Sequence, residues 1–252
     1  MSTATVERLA TAISSSAVSD RVWLSSNYHC NLICAYCLTE SAPKAPRREL
    51  ASDRMRCLAG EARELGFTGL GVTGGEPFLR TDLPGVLIDL GSELPVVVLT
   101  NGTLFTPRLL RRVAPLAGTP VAVQISLDRP DATDNGLLRA PGNFDKVIDA
   151  IHRLVELGLE VRIATTVLSE DAGELARLCD LHRSLGVTDE HHLVRPVVRR
   201  GRAETGNLGV PARYTDLEPE LTITVDGAFG SPSAPTGSGG VLDVNPAGDA
   251  VQ

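Results

Sequence analysis

The strongest constraint on the fold is an alternation of short β-rich runs with longer helical patterns, repeated six times along the chain. The predicted strands cover residues 21–26, 68–73, 95–100, 121–127, 160–168 and 191–197. The predicted helices cover 52–65, a segment from about 81, a segment from about 107, 143–157 and 170–185. Consecutive strand–helix units require parallel strands joined by right-handed crossovers. The chain is therefore predicted to be an α/β protein, as either a doubly wound sheet or a barrel.

The polar and apolar faces of the later strands favour the barrel. In the fourth strand Gln124, Ser126 and Asp128 share one face, and the residues between them are apolar. In the fifth strand Arg162 and Thr166 lie on a similar polar face. A doubly wound sheet would bury both faces and be apolar throughout. Because six units are fewer than the eight of a closed barrel, we expect an open, partial (β/α)6 TIM-like barrel with a partly wet interior.

The segments outside this alternation are predicted to be small. Residues 1–20 are rich in Ser, Thr and Ala and are interpreted as a loosely ordered lead-in. Residues 201–252 are rich in Gly, Pro, Ser and Thr and hold one strand candidate, 221–225, followed by a turn at Asp226 and Gly227. We therefore predict three parts, which are the lead-in, a barrel over 21–200 and a short extension over 201–252.

Composition disfavours two kinds of partner. The chain carries 24 Lys and Arg against 31 Asp and Glu, a net charge of −7, whereas nonspecific nucleic-acid binding rests on clustered cations. No apolar run approaches the roughly 20 residues that span a bilayer, and the N-terminus lacks the pattern of a secretory signal. We expect a cytoplasmic protein with neither a nucleic-acid nor a membrane partner.

Five cysteines, an odd number in a chain without an export signal, argue against a disulfide framework. Cys30, Cys34 and Cys37 fall within eight residues, as CxxxCxxC after the first strand. A structural zinc ion and an iron–sulfur cubane both usually take four protein ligands. Three thiolates on a cubane would leave one iron open to another ligand. Cys57 and Cys179 lie in helical patterns and are interpreted as small buried hydrophobes, with a thiol hydrogen donor as the alternative.

The other unusual residues also follow the predicted strands. The string GGEP at 74–77 follows the second strand, and Asn101 follows the third. Ser126 and Asp128 end the fourth strand. Active sites of strand–helix folds gather at the carboxyl ends of the strands. We therefore expect these segments and the cysteine loop to converge on one rim.

The CxxxCxxC loop has an aromatic residue before its last cysteine, and GGEP, TNG and SLD strings follow it. Together they resemble the radical S-adenosylmethionine (SAM) superfamily, in its molybdenum-cofactor-cyclase-like and SPASM peptide-maturase-like branch, over about residues 22–202. The resemblance implies an enzyme with one 4Fe-4S cluster that reductively cleaves SAM, so that a 5′-deoxyadenosyl radical takes a hydrogen atom from substrate. It also implies an external one-electron reductant of the flavodoxin or ferredoxin type.

The same resemblance implies roles for residues of the cysteine loop. Cys30, Cys34 and Cys37 would bind three irons of the cluster, and SAM would chelate the fourth. Tyr36 would pack near the adenine of SAM.

Further SAM contacts are implied at the ends of the second to fourth strands. Gly74 and Gly75 would let the backbone approach the methionine part of SAM, and Glu76 would help hold its ammonium group. Ser126 would reach the carboxylate or ribose of SAM. Two further candidates for SAM contact are Asn101 and Asp128.

The chain departs from the peptide maturases because no cysteine lies beyond Cys179. Those relatives carry further cysteines for auxiliary clusters, so the extension is predicted to be SPASM-like but cluster-free. Epimerisation, rearrangement or bond formation on a peptide or a small natural-product substrate stays open. No peptide-binding winged-helix segment is recognisable before the barrel. This observation favours, by a small margin, an enzyme that does not depend on a leader peptide.

Other interpretations stay open at this point. The cysteine loop could hold zinc, completed by His29 or a distant ligand, or a cluster that serves only folding or partner docking. Arg162 is expected to point into the barrel, where SAM, a substrate acid or Asp128 could neutralise it. A basic patch is either a solvated surface or an anchor for a substrate carboxylate or phosphate; it comprises Arg195, Arg199, Arg200 and Arg202.

Overall fold

The structure is a computed structural model that describes residues 11, 19–168, 172–211, 220–230 and 241–242. Most of the predicted lead-in, and the extension over 212–219, 231–240 and 243–252, lie outside the described residues. So do residues 170–171, where the fifth helix was predicted to begin.

Within the described residues, nine strands form one sheet in the order β6-β5-β4-β3-β2-β1-β7-β8-β9. Every pairing from β6 across to β7 is parallel, whereas β7, β8 and β9 pair antiparallel. The strands are β1 Arg21–Ser25, β2 Gly69–Thr73, β3 Val96–Thr100, β4 Val121–Ser126, β5 Glu160–Val167, β6 His192–Pro196, β7 Leu221–Thr224, β8 Gly227–Phe229 and β9 Val241–Leu242. All six predicted strands are confirmed.

The predicted helices lie between consecutive strands. The helices are α1 Ser52–Glu64, α2 Leu83–Glu93, α3 Pro107–Val113, α4 Ala132–Leu138, α5 Asn143–Glu156, α6 Ala172–Ser184 and α7 Arg202–Thr205. The short helices α4 and α7 were not predicted. In the described part of the chain, no helix is both long and apolar enough to cross a lipid bilayer.

The hydrophobic core lies between the helices and one face of the parallel strands. Val123 and Ile125 of β4 are fully buried in it. From α5 it receives Val147, Ile151 and Leu154, whose spacing places them on one helical face. Burial of each such side chain contributes about 1.5–3 kcal/mol. The predicted period-two pattern of β4 is confirmed, because its alternate residues face the opposite side.

That opposite side is the interior of an open barrel. The order of the described strands places β6 at one edge of the sheet and β7 beyond β1 on the other side. Arg195 of β6 and Thr222 of β7 nevertheless line the same cavity, so the sheet curves until these strands face each other. The predicted partial barrel is confirmed.

The described part of the extension continues the barrel sheet. In β7, Leu221 pairs with Val22 of β1. The predicted strand and turn are present, although the turn residues are Val225 and Asp226 rather than Asp226 and Gly227, and β8, which pairs with β7 as a hairpin, was not predicted. The boundary near residue 200 stays a prediction.

Candidate active site

A cavity of about 560 Å³ lies at the carboxyl ends of the strands. Strands β1 to β7 each contribute lining residues, and the cysteine loop covers it. The predicted site residues that line it are Cys30, Cys34, Tyr36, Cys37, Gly74, Gly75, Asn101 and Ser126. The predicted convergence is therefore present, and the two exceptions, Glu76 and Asp128, are fully buried outside the cavity lining.

The buried carboxylate of Glu76 accepts hydrogen bonds from two segments of the protein. Its Oε1 accepts hydrogen bonds from the backbone N–H of Phe78 at 3.0 Å and from the Thr100 hydroxyl at 2.8 Å. Its Oε2 accepts from the backbone N–H of Asn101 at 2.7 Å. Burial raises the pKa of Glu76 to about 7, an effect that these donors only partly oppose. The Glu76 carboxylate thus ties the GGEP segment to the end of β3, and its role in holding the SAM ammonium group stays a prediction.

The two glycines allow the protein's own backbone to pack closely. A Cβ atom on Gly74, whose φ is +146°, would lie 2.4 Å from Oδ1 of Asn27. A Cβ atom on Gly75 would lie 2.1 Å from the carbonyl oxygen of His29. The backbone N–H of Gly75 donates to the Asn27 carbonyl at 2.8 Å. Glycine is therefore needed at 74 and 75 so that the backbone can pack against Asn27 and His29, at the entry to the cysteine loop. The sequence did not predict this packing role.

The three clustered cysteines share one environment. Burial raises the pKa of the Cys30 thiol to about 11 and also raises the pKa of Cys34. The Cys30 sulfur faces the backbone N–H of Leu32 at 3.4 Å and the side-chain amide of Asn101 at 3.7 Å. A thiol must lose its proton to bind a metal, and a nearby cation favours that loss.

This donor set fits a cluster better than a single ion. Three thiols with amide donors beside one of them are the chemistry that an iron–sulfur cluster uses. Among the described residues, no three His, Cys, Asp or Glu side chains converge as ligands of one metal ion.

The segment after β6 clamps the cysteine loop. The Nε atom of Arg202 donates to the Cys34 carbonyl at 3.0 Å, and its guanidinium also donates to the Ser41 carbonyl. The Arg202 backbone N–H donates to the Cys37 carbonyl at 3.1 Å. Arg202 therefore supports the cysteine loop, which neither of the two interpretations of the basic patch, a solvated surface or a substrate anchor, predicted.

The other arginines of the predicted patch do not form one surface. Arg195 lines the cavity, whereas the Arg199 guanidinium donates to the Gly209 carbonyl at 2.8 Å. Arg162 also differs from expectation, since its guanidinium pairs at 2.6 Å with Glu160 of its own strand. It therefore needs neither SAM, nor a substrate, nor Asp128 as a partner.

Asp128 supports two residues of the cavity wall. Its Oδ2 accepts from Nε of Arg139 at 2.6 Å and from the Tyr36 hydroxyl, and its Oδ1 accepts from the Thr166 backbone N–H at 2.8 Å. Arg139 also donates to the Tyr36 hydroxyl at 2.5 Å. Tyr36 and Arg139 line the cavity, but Asp128 does not. Asp128 thus positions Tyr36 and Arg139, and its contact with SAM stays a prediction.

Arg139 was missed by the sequence analysis. It follows α4, in a segment where Gly136 and Pro141 disfavour a helix. One signal was present, because Asp131 caps α4 by accepting from the backbone N–H groups of Thr133 and Asp134 at 3.0 and 2.9 Å. Even with the helix predicted, no sequence pattern indicates that the arginine at its end turns toward Asp128.

The two cysteines outside the loop do not line the cavity. Cys57 is exposed on α1, so its predicted burial is wrong, whereas Cys179 is half-buried. The Cys179 sulfur lies 3.6 Å from Nδ1 of His192, whose Nε2 lies 2.8 Å from the Thr165 hydroxyl. His191 lies instead near Glu160, so the two adjacent histidines point apart.

A curved parallel sheet with a three-cysteine loop over the carboxyl ends of its strands defines the class of protein. The model of the radical SAM superfamily matches residues 24–181, and the chain belongs to this superfamily. Its members are enzymes that use a 4Fe-4S cluster and SAM, and the cysteine loop fits that cofactor set.

Curated relatives and a solved structure extend the comparison. Mycofactocin maturase MftC of Mycolicibacterium smegmatis is 31% identical over 172 residues, which cover 67% of this chain and 43% of the relative. AdoMet-dependent heme synthase of Methanosarcina barkeri is 30% identical over 187 residues, covering 73% and 52%. The chain thus spans about half the length of these relatives. The structure of Streptococcus suis SuiB bound to the precursor peptide SuiA has a TM-score of 0.69 at 12% identity, covering 95% of this chain and 67% of that chain, which is similarity of fold.

Proposed function

We propose that this chain reductively cleaves SAM at one 4Fe-4S cluster and abstracts a hydrogen atom from a substrate in the same cavity. The observation that carries this proposal is the placement of three thiols and residues of seven strands around one space of about 560 Å³. When bound, the cluster would supply one electron for the reductive cleavage of SAM to methionine and a 5′-deoxyadenosyl radical, which would take a hydrogen atom from a substrate carbon.

The chain's own residues bind and orient the cofactors. In this proposal Cys30, Cys34 and Cys37 ligate three irons, and the Asn101 amide beside the Cys30 sulfur orients that ligand. SAM lies against the remaining predicted residues of the wall, which are Tyr36, Gly74, Gly75 and Ser126. Glu76 and Asp128 act from behind the wall, because their carboxylates hold Asn101 and Tyr36.

Apolar residues would keep water from the reacting atoms. Leu32, Leu38 and Leu99 line the cavity beside the cysteine loop, and Val197 and Val198 line it after β6. Exclusion of water limits side reactions of a reactive intermediate.

A peptide is the substrate class that the relatives favour. The maturase name and the peptide-bound SuiB structure support it, while the heme synthase name supports a small natural-product intermediate as the second candidate. The proposed reaction is an epimerisation, a rearrangement or a bond formation that uses only the cluster in the cysteine loop. We further propose a flavodoxin- or ferredoxin-type reductant and a cytoplasmic location, where free cysteines persist.

The test is an anaerobic assay of iron- and sulfide-reconstituted protein with SAM and dithionite, in which 5′-deoxyadenosine is quantified by liquid chromatography. We expect product from the wild type and from Cys57→Ala, which alters an exposed cysteine, and none from Cys34→Ala. A reconstituted, reducible wild type that forms no 5′-deoxyadenosine, or a protein that retains zinc without labile sulfide, would support the alternative of a non-catalytic metal protein used for folding or docking.

A further inference from the structure

Two buried side chains of the cavity wall have polar atoms without a partner among the described residues. These atoms are the indole Nε1 of Trp23 and the hydroxyl Oγ1 of Thr222. The residues are 5% and 2% exposed, and both line the cavity. Buried polar atoms are almost always hydrogen-bonded in folded proteins. Two unpaired atoms on residues of one cavity wall thus lack partners that a bound molecule would supply.

The two side chains are neighbours on a part of the wall that no predicted cofactor contact uses. Trp23 of β1 and Thr222 of β7 are register partners in adjacent parallel strands. The proposed contacts to SAM come from the cysteine loop and the ends of β2 to β4. Trp23 and Thr222 thus line a part of the cavity that a second molecule could occupy.

The position of the indole is fixed by packing. A Cβ atom on Gly71 of β2 would lie 2.1 Å from the Trp23 ring, so the ring occupies the space that a side chain there would fill. The Arg21 guanidinium lies 5.8 Å from the centre of the same ring. A group held in this way is pre-organised, and binding costs it little conformational entropy.

The chemistry of the two atoms selects the group that binds them. An indole N–H only donates a hydrogen bond, whereas a hydroxyl both donates and accepts. A neutral amide satisfies both, because its carbonyl accepts from the indole and its N–H donates to the hydroxyl. An ionised carboxylate could accept hydrogen bonds from both the indole and the hydroxyl. Neither Trp23 nor Thr222 carries a positive charge to neutralise it, so the pair favours an uncharged amide.

We propose that Trp23 and Thr222 form a substrate subsite that binds an uncharged amide group, either the trans amide of a peptide or the cis amide of a lactam ring. The inference rests on the proposed function, since it places the substrate in the cavity that holds SAM. Its tests below require no SAM cleavage, so the two proposals can fail separately.

The first test compares two buried threonines in the reconstituted protein without substrate. Thr165, which is 1% exposed, donates its hydroxyl to the Leu127 carbonyl at 2.8 Å. We expect Thr165→Val to lower the melting temperature by about 2–4 °C, and Thr222→Val to leave it unchanged or raise it, because an unpaired hydroxyl is replaced by a methyl group. An equal loss in the two variants would show that the Thr222 hydroxyl is already satisfied and would overturn the proposal.

The second test uses Trp23 as the probe, since it is the chain's one tryptophan. A ¹⁵N–¹H correlation spectrum of the anaerobic, oxidised protein then contains one indole N–H signal. We expect N-methylacetamide, as the peptide probe, or 2-pyrrolidinone, as the lactam probe, to move this signal in a saturable way. The probe that binds more tightly identifies the kind of amide.

The threonine variants connect the signal to the subsite. We expect Thr222→Val to weaken probe binding about fivefold, the effect of one lost hydrogen bond, and Thr222→Ser to retain it. An indole signal that neither probe moves, or equal affinity in Thr222→Val and the wild type, would contradict the proposal. If the chain forms 5′-deoxyadenosine while the indole signal stays unmoved, only the subsite is wrong.

Discussion

Nε of Arg139 donates a hydrogen bond to Oδ2 of Asp128 at 2.6 Å, and the two side chains are 6% and 0% exposed. The pair joins the end of β4 to the residue that follows α4. Through the Tyr36 hydroxyl, which bonds both side chains, it also fixes the middle of the cysteine loop. A buried ion pair thus positions part of the cavity wall.

Removal of one charge from this pair is expected to be costly. Asp128→Asn leaves the Arg139 guanidinium buried without a counter-ion, and we predict a loss of about 3–5 kcal/mol in the free energy of unfolding. Urea denaturation followed by circular dichroism measures it. The matched control is Asp149→Asn, which breaks an exposed pair with Arg153 on α5 and should change stability little. Equal losses of unfolding free energy in the two variants would show that the buried pair stabilises the fold no more than an exposed pair does.

Arg202 is expected to hold the cysteine loop in shape. Arg202→Met removes the donors to the Cys34 and Ser41 carbonyls, and we predict a loss of about 1–3 kcal/mol in stability. Lower iron and sulfide content after reconstitution should accompany it, because the loop carries the three thiols. Chemical analysis of the metal measures this content, with Arg54→Met, at an exposed pair with Glu61, as the control. Full iron content in Arg202→Met would contradict the claim that Arg202 holds the cysteine loop in the shape needed to bind the cluster.

The two glycines of GGEP are expected to be intolerant of alanine. Gly75→Ala would place a methyl group 2.1 Å from the His29 carbonyl, so the entry to the cysteine loop must shift. We predict a loss of more than about 2 kcal/mol in the free energy of unfolding. Gly85→Ala in α2 meets open space and should instead stabilise the protein by about 0.5–1 kcal/mol. Denaturation curves of the two variants decide, and a harmless Gly75→Ala would contradict the packing described here.

His182 predicts a specific loss of stability in acid. Its ring is 1% exposed, neither ring nitrogen has a hydrogen-bond partner among the described residues, and its centre lies 4.3 Å from that of His192. Burial, and then the neighbouring His192, lower the pKa of His182 from 6.5 to about 3. Below about pH 6.5 His182 therefore binds a proton in the unfolded chain but not in the folded chain. The free energy of unfolding thus falls as the pH falls from 6.5 toward 3.

The substitution His182→Phe isolates this effect. Relative to the wild type, the variant should gain about 2 kcal/mol in the free energy of unfolding on going from pH 7 to pH 5. Urea denaturation at both pH values measures the difference. The control is His152→Gln on the exposed side of α5, measured at the same two pH values. The same pH dependence in His182→Phe and the wild type would show that this ring is not the group responsible.

The fold was predictable because its signals are local. In β4 the apolar residues Val123 and Ile125 alternate with Gln124 and Ser126. This alternation distinguishes the face that packs in the core from the face toward the barrel interior. The cysteine spacing is also local, since the three thiols lie within one loop. Both features follow from backbone geometry and need no knowledge of distant contacts.

The supporting residues of the site were not predictable in the same way. The sequence places Glu76 and Asp128 at strand ends but does not show whether a carboxylate faces the cavity or turns behind it. Arg202 and the Cys34 carbonyl it binds are 168 positions apart in the chain, and only the curvature of the sheet brings them together. The unpaired atoms of Trp23 and Thr222 are likewise visible only after β7 is placed beside β1.

The central claim is that the three-cysteine loop holds a cluster to which SAM binds directly. The most direct measurement is electron paramagnetic resonance of the dithionite-reduced, reconstituted protein, before and after addition of SAM labelled with ¹⁵N in its amino group. We predict about four irons per chain, a reduced-cluster signal that changes on addition of SAM and a hyperfine coupling to the ¹⁵N label, all absent from Cys34→Ala. A signal that SAM leaves unchanged, or a protein that binds zinc in place of iron and sulfide, would contradict the account.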